Sequence, residues 1–401
     1  MNILFVNSWY YPNMKGGAEQ STKLLAEGMA EMGHSVSVIS GDAAENEEER
    51  DIVNGVRVYR LKTHLHGSSE NIFRKIQFKL IDVKNRKIKK FFDEVCSSEK
   101  PDVIHTNSLA GISPYIWKLA HEKKIPVVHT IRDYSLCSPR GIYESAAQAK
   151  MPYRVFLDYY VRKMKKYSRF VDIVTAPSDY TLGKLLDDGF FASSEHRCIF
   201  NAIRLDMEET RKFLQSRRQK KSKAKTAIFV GRLIPIKGIL LLVSSFRKIK
   251  LPDVKLIVCG EGDYGEELRR MAKDDSRIIF RGHLTQQELE KEYIVSDFAV
   301  IPSLWDEPFG RVVIEANKYG LPVITSNRGG IPEIIREMKS GVMFESEDEF
   351  TELLENFFER ENFDRFYDNI ELNIEKYSIT AQLKSFEELY KKCRIGYLSE
   401  Y

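Results

Sequence analysis

Apolar residues fall into two alternating patterns along this chain: short continuous runs, and longer stretches where they recur at helical spacing. Ile3 to Val6 reads as a first buried strand, Asn7 to Lys15 as a loop, and Gly16 to Met32 as a helix with Leu24, Leu25, Met29 and Met32 on one side and Gly33 closing it. Further runs predict strands at Ser35–Ile39, Val56–Tyr59, Asp102–Ile104, Pro126–Thr130 and Ile173–Ala176. A helix is predicted over 113–121, and Ser178 is a predicted cap. The acidic stretch from Glu45 to Asp51 is expected to be exposed. The rhythm restarts with Ala227–Val230, a helix from Ile239 to Arg247, and Val254–Cys259. It continues with a helix over 286–294, a strand Ala299–Ile301 that stops at Pro302, a helix from Arg311 to Asn317, and strand Pro322–Ile324. Gly329-Gly330 opens another helix, and about 347–397 reads as helical. Strand alternating with helix, twice over, predicts two α/β domains with parallel sheets. Ligands of such sheets bind beyond the carboxyl ends of the strands, and the cleft between two such domains is the natural site.

Composition narrows the class. A chain of 401 residues, 43% hydrophobic, has enough for sizeable cores, and its net charge of +4 is too small to imply a nucleic-acid partner. The five cysteines form no Cys-x-x-Cys pair and read as reduced thiols. No apolar run reaches the length of a membrane span, and the N-terminus lacks the basic flank of a signal peptide. These features predict a cytoplasmic protein. Charge is unevenly spread. A helix predicted over Phe73–Phe92 carries Arg74, Lys75, Lys79, Lys84, Arg86, Lys87, Lys89 and Lys90 against the single acid Asp82, and Arg162 to Lys166 is a second basic segment. Such segments suit either a solvated face over a core or an anionic membrane surface. Arg211 to Lys225 is basic without an acid and reads as a solvated linker or a headgroup contact, with the domain boundary near 201–225.

The chemistry concentrates at strand ends. Glu307-Pro308-Phe309-Gly310 is a turn between a strand and a helix, so Glu307 sits in the loop and Glu315 inside the helix. Backbone N–H groups of Phe309, Gly310 and Arg311 fall at that helix N-terminus, where an anion or a hydroxyl can accept from them. Two carboxylates there suit a hydroxyl-rich ligand, because an ionised Glu only accepts hydrogen bonds. Gly231-Arg232, with Lys237-Gly238 following, puts two cations and two glycines at another strand-to-helix turn, an arrangement suited to a diphosphate or to a plain basic surface. Gly260-Glu-Gly262-Asp-Tyr-Gly265 matches the dinucleotide spacing, but Glu261 and Asp263 would repel a pyrophosphate, so NAD is rejected. In the first half, His105, His129, Arg132 and Asp133 are candidates by their position after strands.

Together these motifs resemble the GT-B glycosyltransferases of the large retaining family 4, over nearly the full length. Gly16-Gly17-Ala18-Glu19 is similar to that family's N-terminal glycine loop, Asn201-Ala202-Ile203 stands where Asn-Gly-Ile is usual, Gly231-Arg232 with Lys237-Gly238 resembles its diphosphate clamp, and Glu307 to Glu315 its paired glutamates. The resemblance implies two Rossmann-like domains with parallel sheets facing across a cleft. They would be 1–205 on the acceptor side and 206–375 binding the nucleotide-sugar, followed by a C-terminal helix, 376–401, that packs back on the first domain. It implies metal-independent hexosyl transfer from a UDP-, GDP- or ADP-sugar, with retained anomeric configuration, to a saccharide or lipid-linked acceptor in cell-surface polysaccharide synthesis. The protein would then be cytoplasmic or peripheral on the inner membrane face. Glu307, Arg232, Lys237 and Arg132 would be catalytic. Gly16, Gly17, Arg281, His283, Phe309, Gly310, Arg311 and Glu315 would bind the donor. Arg132 departs from the family, which often has His-Asp where this chain has Arg132-Asp133, and an arginine cannot act as a base. A non-catalytic nucleotide-sugar or glycan-binding protein, an epimerase and a phosphorylase remain the alternatives.

Overall fold

A computed structural model describes residues 1–14, 16–44, 48–63, 78, 80–139, 141–143, 150–151, 153–220 and 222–400. The chain divides into two compact units, the first made of Met1–Asn201 with Ile379–Tyr401, the second of Ala202–Ser378. Unit 1 holds β1 (Asn2–Asn7), β2 (Ser35–Ser40), β3 (Glu48–Val53), β4 (Val56–Leu61), β5 (Val103–Thr106), β6 (Val127–Thr130), β7 (Ile173–Ala176) and β8 (Glu195–Cys198). Their order is β3-β4-β2-β1-β5-β6-β7-β8, parallel throughout except for β3. β5, β6 and β7 are buried from end to end, and β1 from Ile3 onward, as expected where helices cover both faces of a parallel sheet. The helices are α1 (Gly17–Glu31), α2 (Lys87–Glu99), α3 (Tyr115–Glu122), α4 (Tyr153–Ser168) and α5 (Asp179–Asp187). Ser178 caps α5 by accepting from the Thr181 N–H.

Three expectations from the sequence change here. The acidic stretch is partly a strand: β3 pairs antiparallel with β4 through a turn at Asn54-Gly55, both at positive φ. As the edge strand it faces solvent with charged residues, which hides it from an apolar-run search. The predicted helix over 73–92 is not continuous. Residues 73–77 and 79 lie outside the described residues, 80–83 are helical, and 84–86 break before α2 begins. Asn85 makes the break: its buried amide donates to the Gly111 carbonyl and its Oδ1 accepts from the Lys87 N–H. The α2 bases Lys87, Lys89 and Lys90 are exposed, while Ile88, Phe91 and Phe92 are spent in the core. The third change concerns the basic stretch read as a linker, which is largely the helix α6 (Met207–Gln219). Its Arg217 is half-buried and donates to the carbonyls of Tyr319, Ser296 and Tyr293, at 2.7, 2.7 and 3.1 Å.

Unit 2 is a fully parallel sheet of β9 (Thr226–Val230), β10 (Lys255–Cys259), β11 (Ile278–Gly282), β12 (Phe298–Ile301), β13 (Val323–Ser326) and β14 (Gly341–Phe344), in the order β11-β10-β9-β12-β13-β14. After α6 come α7 (Ile239–Lys248), α8 (Gly265–Met271), α9 (Gln286–Val295), α10 (Arg311–Lys318), α11 (Ile331–Met338), α12 (Glu347–Glu359) and α13 (Asp364–Asn373). The strand order runs outward from β9 to β11, then returns to place β12 on β9's other side. The β9–β12 ladder has only two registered pairs, Ala227–Phe298 and Ile228–Ala299, and ends short of Val230 and Ile301. Loops leaving these strands diverge, and that opening is where an α/β sheet binds its ligand.

The last helix, α14 (Ile379–Glu400), belongs to unit 1, where Leu383, Phe386, Leu389, Tyr390 and Cys393 join the core formed by β1, β2, β5 and α1. Gly28 of α1 lets the two helices approach: a Cβ there would lie 2.8 Å from a Leu383 methyl group. Gly28→Val should therefore lower the urea stability of unit 1 by about 1–3 kcal/mol; an unchanged midpoint would mean that α14 yields freely.

Candidate active site

In unit 2 the chain leaves β9 through Gly231 and a single 3-10 turn, Pro235–Lys237, before α7. It leaves β12 through Pro302 and the loop that ends at α10. Gly238 brings the two exits together. Its φ is +70°, and a Cβ would sit 1.7 Å from the Pro302 carbonyl oxygen, so no other residue fits. The Leu304 N–H donates to the Ile236 carbonyl at 2.8 Å and fixes the contact. From below, Gly329 at φ +63° lies against Glu307, where a Cβ would be 2.4 Å from its carbonyl oxygen, and the Gly330 N–H donates to that oxygen at 2.7 Å. Three successive strand exits, after β9, β12 and β13, thus converge on the loop that carries Glu307.

The result is an ion pair across the opening. Lys237 Nζ donates to Glu307 Oε1 at 2.7 Å, with the lysine 26% and the glutamate 14% exposed. The buried Ser303 hydroxyl donates to the same oxygen at 2.8 Å. Glu307 Oε1 is thereby engaged twice, and Lys237 also lies 5.6 Å from the Trp305 ring centroid. Neither Ser303 nor Trp305 was assigned a role from the sequence. Ser303 stands four residues before Glu307, a spacing that a tight turn folds back on itself. Arg232 is exposed at the end of β9, with no ion pair among the described residues.

The other unit 2 residues lie around this pair. Gly310, at φ +99°, caps α10, so Phe309, Gly310 and Arg311 do stand at its N-terminus. Phe309 itself is buried, 6.2 Å from the Tyr377 ring. Glu315 is not a bare carboxylate: Arg311 Nε donates to its Oε1 at 2.7 Å, a pair one helical turn apart. Arg281, at the end of β11, pairs with Glu292 at 2.8 Å. The exposed His283 follows, its N–H donating to Glu261 Oε1 at 3.4 Å. Glu261 itself leaves β10, so the two outer strand exits form one wall.

In unit 1, Gly16 and Gly17 are exposed where α1 begins, and a Cβ on Gly16 would meet Glu19 Oε2 at 3.6 Å. Arg132 is buried. Its Nε donates to Asn107 Oδ1 at 2.9 Å and its Nη1 to Asn201 Oδ1, so it ties together the exits of β5, β6 and β8. Asp133 accepts from the Ser108 hydroxyl at 3.0 Å and from the Ser135 N–H at 2.8 Å. The two histidines lie inside the sheet. His105 Nδ1 meets the Tyr390 hydroxyl at 2.5 Å and its Nε2 meets Thr130 Oγ1 at 2.7 Å. His129 Nδ1 meets Thr106 Oγ1 at 2.9 Å. Burial holds both imidazoles neutral, His105 well below the ordinary range and His129 pushed down to about 3.

Two units, each a Rossmann-like α/β sheet, define the GT-B fold. Residues 15–207 match the family described as Glycosyltransferase Family 4, and residues 210–376 match that described as Glycosyl transferases group 1. An uncharacterized 42.6 kDa protein in the cps region of Klebsiella pneumoniae is 34% identical over 349 residues, spanning 84% of this chain and 88% of its own. Sucrose-phosphate synthase from Thermosynechococcus elongatus has the same fold at a TM-score of 0.73 and 20% identity, over 97% of this chain and 98% of that one. HepE of Anabaena, in complex with UDP, superposes at 0.71 with 17% identity, over 98% of this chain and 100% of that one. The chain belongs to the group 1 glycosyltransferases and is a glycosyltransferase.

Because His105 and His129 are protonated in the unfolded chain near pH 6.5 but not when folded, the unfolded state takes up more protons below that pH. Their contribution is complete above pH 6.5 and is lost as pH falls toward 3, the folded value of His129. Moving from pH 7.5 to 5.5 should cost on the order of 1 kcal/mol for His129, with a loss in the same direction for His105, read from urea midpoints. Equal midpoints at the two pH values would mean that the rings are solvated.

Proposed function

We propose that this protein transfers a sugar from a nucleoside diphosphate donor, with retained anomeric configuration, to a saccharide or lipid-linked acceptor in surface polysaccharide synthesis. The observation that carries this reading is the Lys237–Glu307 pair, spanning the opening between β9 and β12, with exposed Arg232 on the same β9 exit as Lys237. The relative in a Klebsiella cps region and the UDP bound to HepE point the same way. An ammonium and a guanidinium at one strand exit offset the charge that grows on a departing diphosphate. Glu307 accepts from hydroxyls of the donor sugar. Glu315 accepts from the ribose, using the oxygen that Arg311 leaves open, and Arg281 and His283 border the base. Phe309, Gly310 and Arg311 offer the helix N-terminus, and in unit 1 Gly16 and Gly17 leave the backbone at the start of α1 open to a ligand.

In the transfer step the anomeric C–O bond breaks and its electron pair goes to the phosphate oxygen. The acceptor oxygen bonds the anomeric carbon on the same face, and its proton passes to the leaving phosphate. No histidine of the β5 and β6 exits serves as base in this scheme, since both are enclosed. Arg132 acts as a positioning residue that holds Asn107 and Asn201 in place. When the diphosphate arrives, Lys237 turns to it, and Ser303 keeps the Glu307 carboxylate oriented through its remaining bond.

The test is release of nucleotide from UDP-, GDP- and ADP-sugars, first alone and then with acceptor. Glu307→Ala should abolish transfer, and Lys237→Ala should lower kcat by about 100- to 1,000-fold. Ser303→Ala should lower kcat more than it raises KM, with Ser303→Thr restoring it. Full turnover by Glu307→Ala, or turnover that requires free phosphate and no nucleotide, would overturn the proposal.

A further inference from the structure

Unit 2 has a second polar opening, at the other end of its sheet. It lies where β9 and β12 begin, opposite the exits that carry Lys237 and Glu307. The chain that follows α6, the residue before β12 and the link between α12 and α13 enclose a cavity of about 400 Å³ there. Three cations, Arg217, Arg218 and Lys220, line it against three acids, Asp297, Glu361 and Asp364. Most of these groups are already held. Lys220 Nζ donates to Asp297 Oδ1, and Asp297 Oδ2 accepts from the N–H groups of Lys225 and Thr226 at 2.7 and 3.0 Å. Arg218 Nη2 donates to Asp368 and Glu371 at 2.9 and 3.0 Å, and Asn362 Nδ2 donates to Asp364 Oδ2 at 2.8 Å. One group is not held. Tyr367 also lines the cavity and is only 6% exposed, but its hydroxyl makes no hydrogen bond among the described residues. Its ring packs against Phe363, with centroids 6.3 Å apart. The charges that act on this hydroxyl are Arg217, Asp297, Asp364 and Arg218, all in the lining, so it faces the cavity. Burial pushes it up to about 12, and it stays a proton donor at neutral pH. A buried hydroxyl without a partner is unfavourable, and the active site makes no use of this one.

We propose that this cavity is a subsite for a short uncharged saccharide, separate from the active site. The proposal goes beyond the transfer reaction and does not depend on it. Charge decides the class of ligand. Equal numbers of cations and acids leave no net field to attract a phosphate or a metal ion. An ionic ligand would also have to break the pairs that hold the walls, and an apolar one would strand both the charges and the Tyr367 hydroxyl. A sugar hydroxyl donates one hydrogen bond and accepts others, so it can bridge a paired cation and its acid without separating them. The Tyr367 O–H then donates to a hydroxyl or to the ring oxygen, and the buried group gains the partner it lacks. Because the walls are fixed by their own pairs, little side-chain order is lost when the sugar enters. The volume suits a small organic ligand. A saccharide held at the amino ends of the strands leaves their carboxyl ends to the donor.

Saturation-transfer difference NMR of the full chain with glucose, galactose, maltose and lactose tests this. Glu307→Ala serves as the background throughout, so that the active-site carboxylate is removed and the result stands apart from turnover. At least one of the four sugars should receive saturation. Tyr367→Phe, which keeps the ring and removes the hydroxyl, should weaken its binding about fivefold. Ser222→Trp, at an exposed position in the lining, should crowd the cavity and abolish the signal. Circular dichroism of both variants should match the background protein. Saturation of none of the four sugars would overturn the proposal. So would unchanged binding in either variant, which would put the sugar elsewhere on the surface. Inorganic phosphate is titrated in parallel and followed by its phosphorus line width. Phosphate binding that Ser222→Trp abolishes would also overturn the proposal, assigning the cavity to an anion.

Discussion

The site depends on a cation held against a carboxylate at the point where the strand order of unit 2 reverses. Lys237 and Glu307 are seventy positions apart, yet their side chains meet because the β9 and β12 exits leave the sheet as neighbours. Two backbone constraints enforce the meeting. Gly238 admits the Pro302 carbonyl to a distance that any side chain would forbid, and Gly329 does the same beneath Glu307. With the backbone so crowded, the carboxylate and ammonium need little side-chain ordering when a ligand arrives, and preorganisation of this kind lowers the cost of binding charge.

Sharing of Glu307 Oε1 between Lys237 and Ser303 gives the pair a second property. If the proposed diphosphate donor draws Lys237 away, the Ser303 hydroxyl remains to hold the carboxylate's orientation, so charge would be exchanged rather than exposed. Unit 1 is built differently. Its strand exits are tied by buried groups: Arg132 between two asparagines, and His105 between Tyr390 and Thr130. These contacts fix the loops, and both histidines are enclosed by them.

Much of the architecture was legible in the sequence because a parallel sheet buries both faces and so writes each strand as an apolar run. Where that condition fails, reading fails. The edge strand β3 has solvent on one side, and only Asn54-Gly55 marked its turn. The helical pattern before Phe92 passed over Asn85, whose amide finds a partner in Gly111, a contact that sequence spacing does not encode. The bases of α6 looked like a linker because Arg217, which turns in to donate to three carbonyls, cannot be told from its solvated neighbours by composition. In the site, the glutamates and the glycine turns stood out by spacing. Partner choice did not: the pairing of Glu315 with Arg311, the hydroxyl of Ser303 on Glu307 and the inward turn of Arg132 are all set by packing.

The most direct test is calorimetric titration of UDP, GDP and ADP into the parent protein and Lys237→Ala. If Lys237 exchanges Glu307 for the diphosphate, the nucleotide that binds the parent should bind the variant at least about tenfold more weakly, with the fold intact. Equal affinity in the two proteins would contradict the account, because the lysine would then be a structural partner of Glu307 and nothing more.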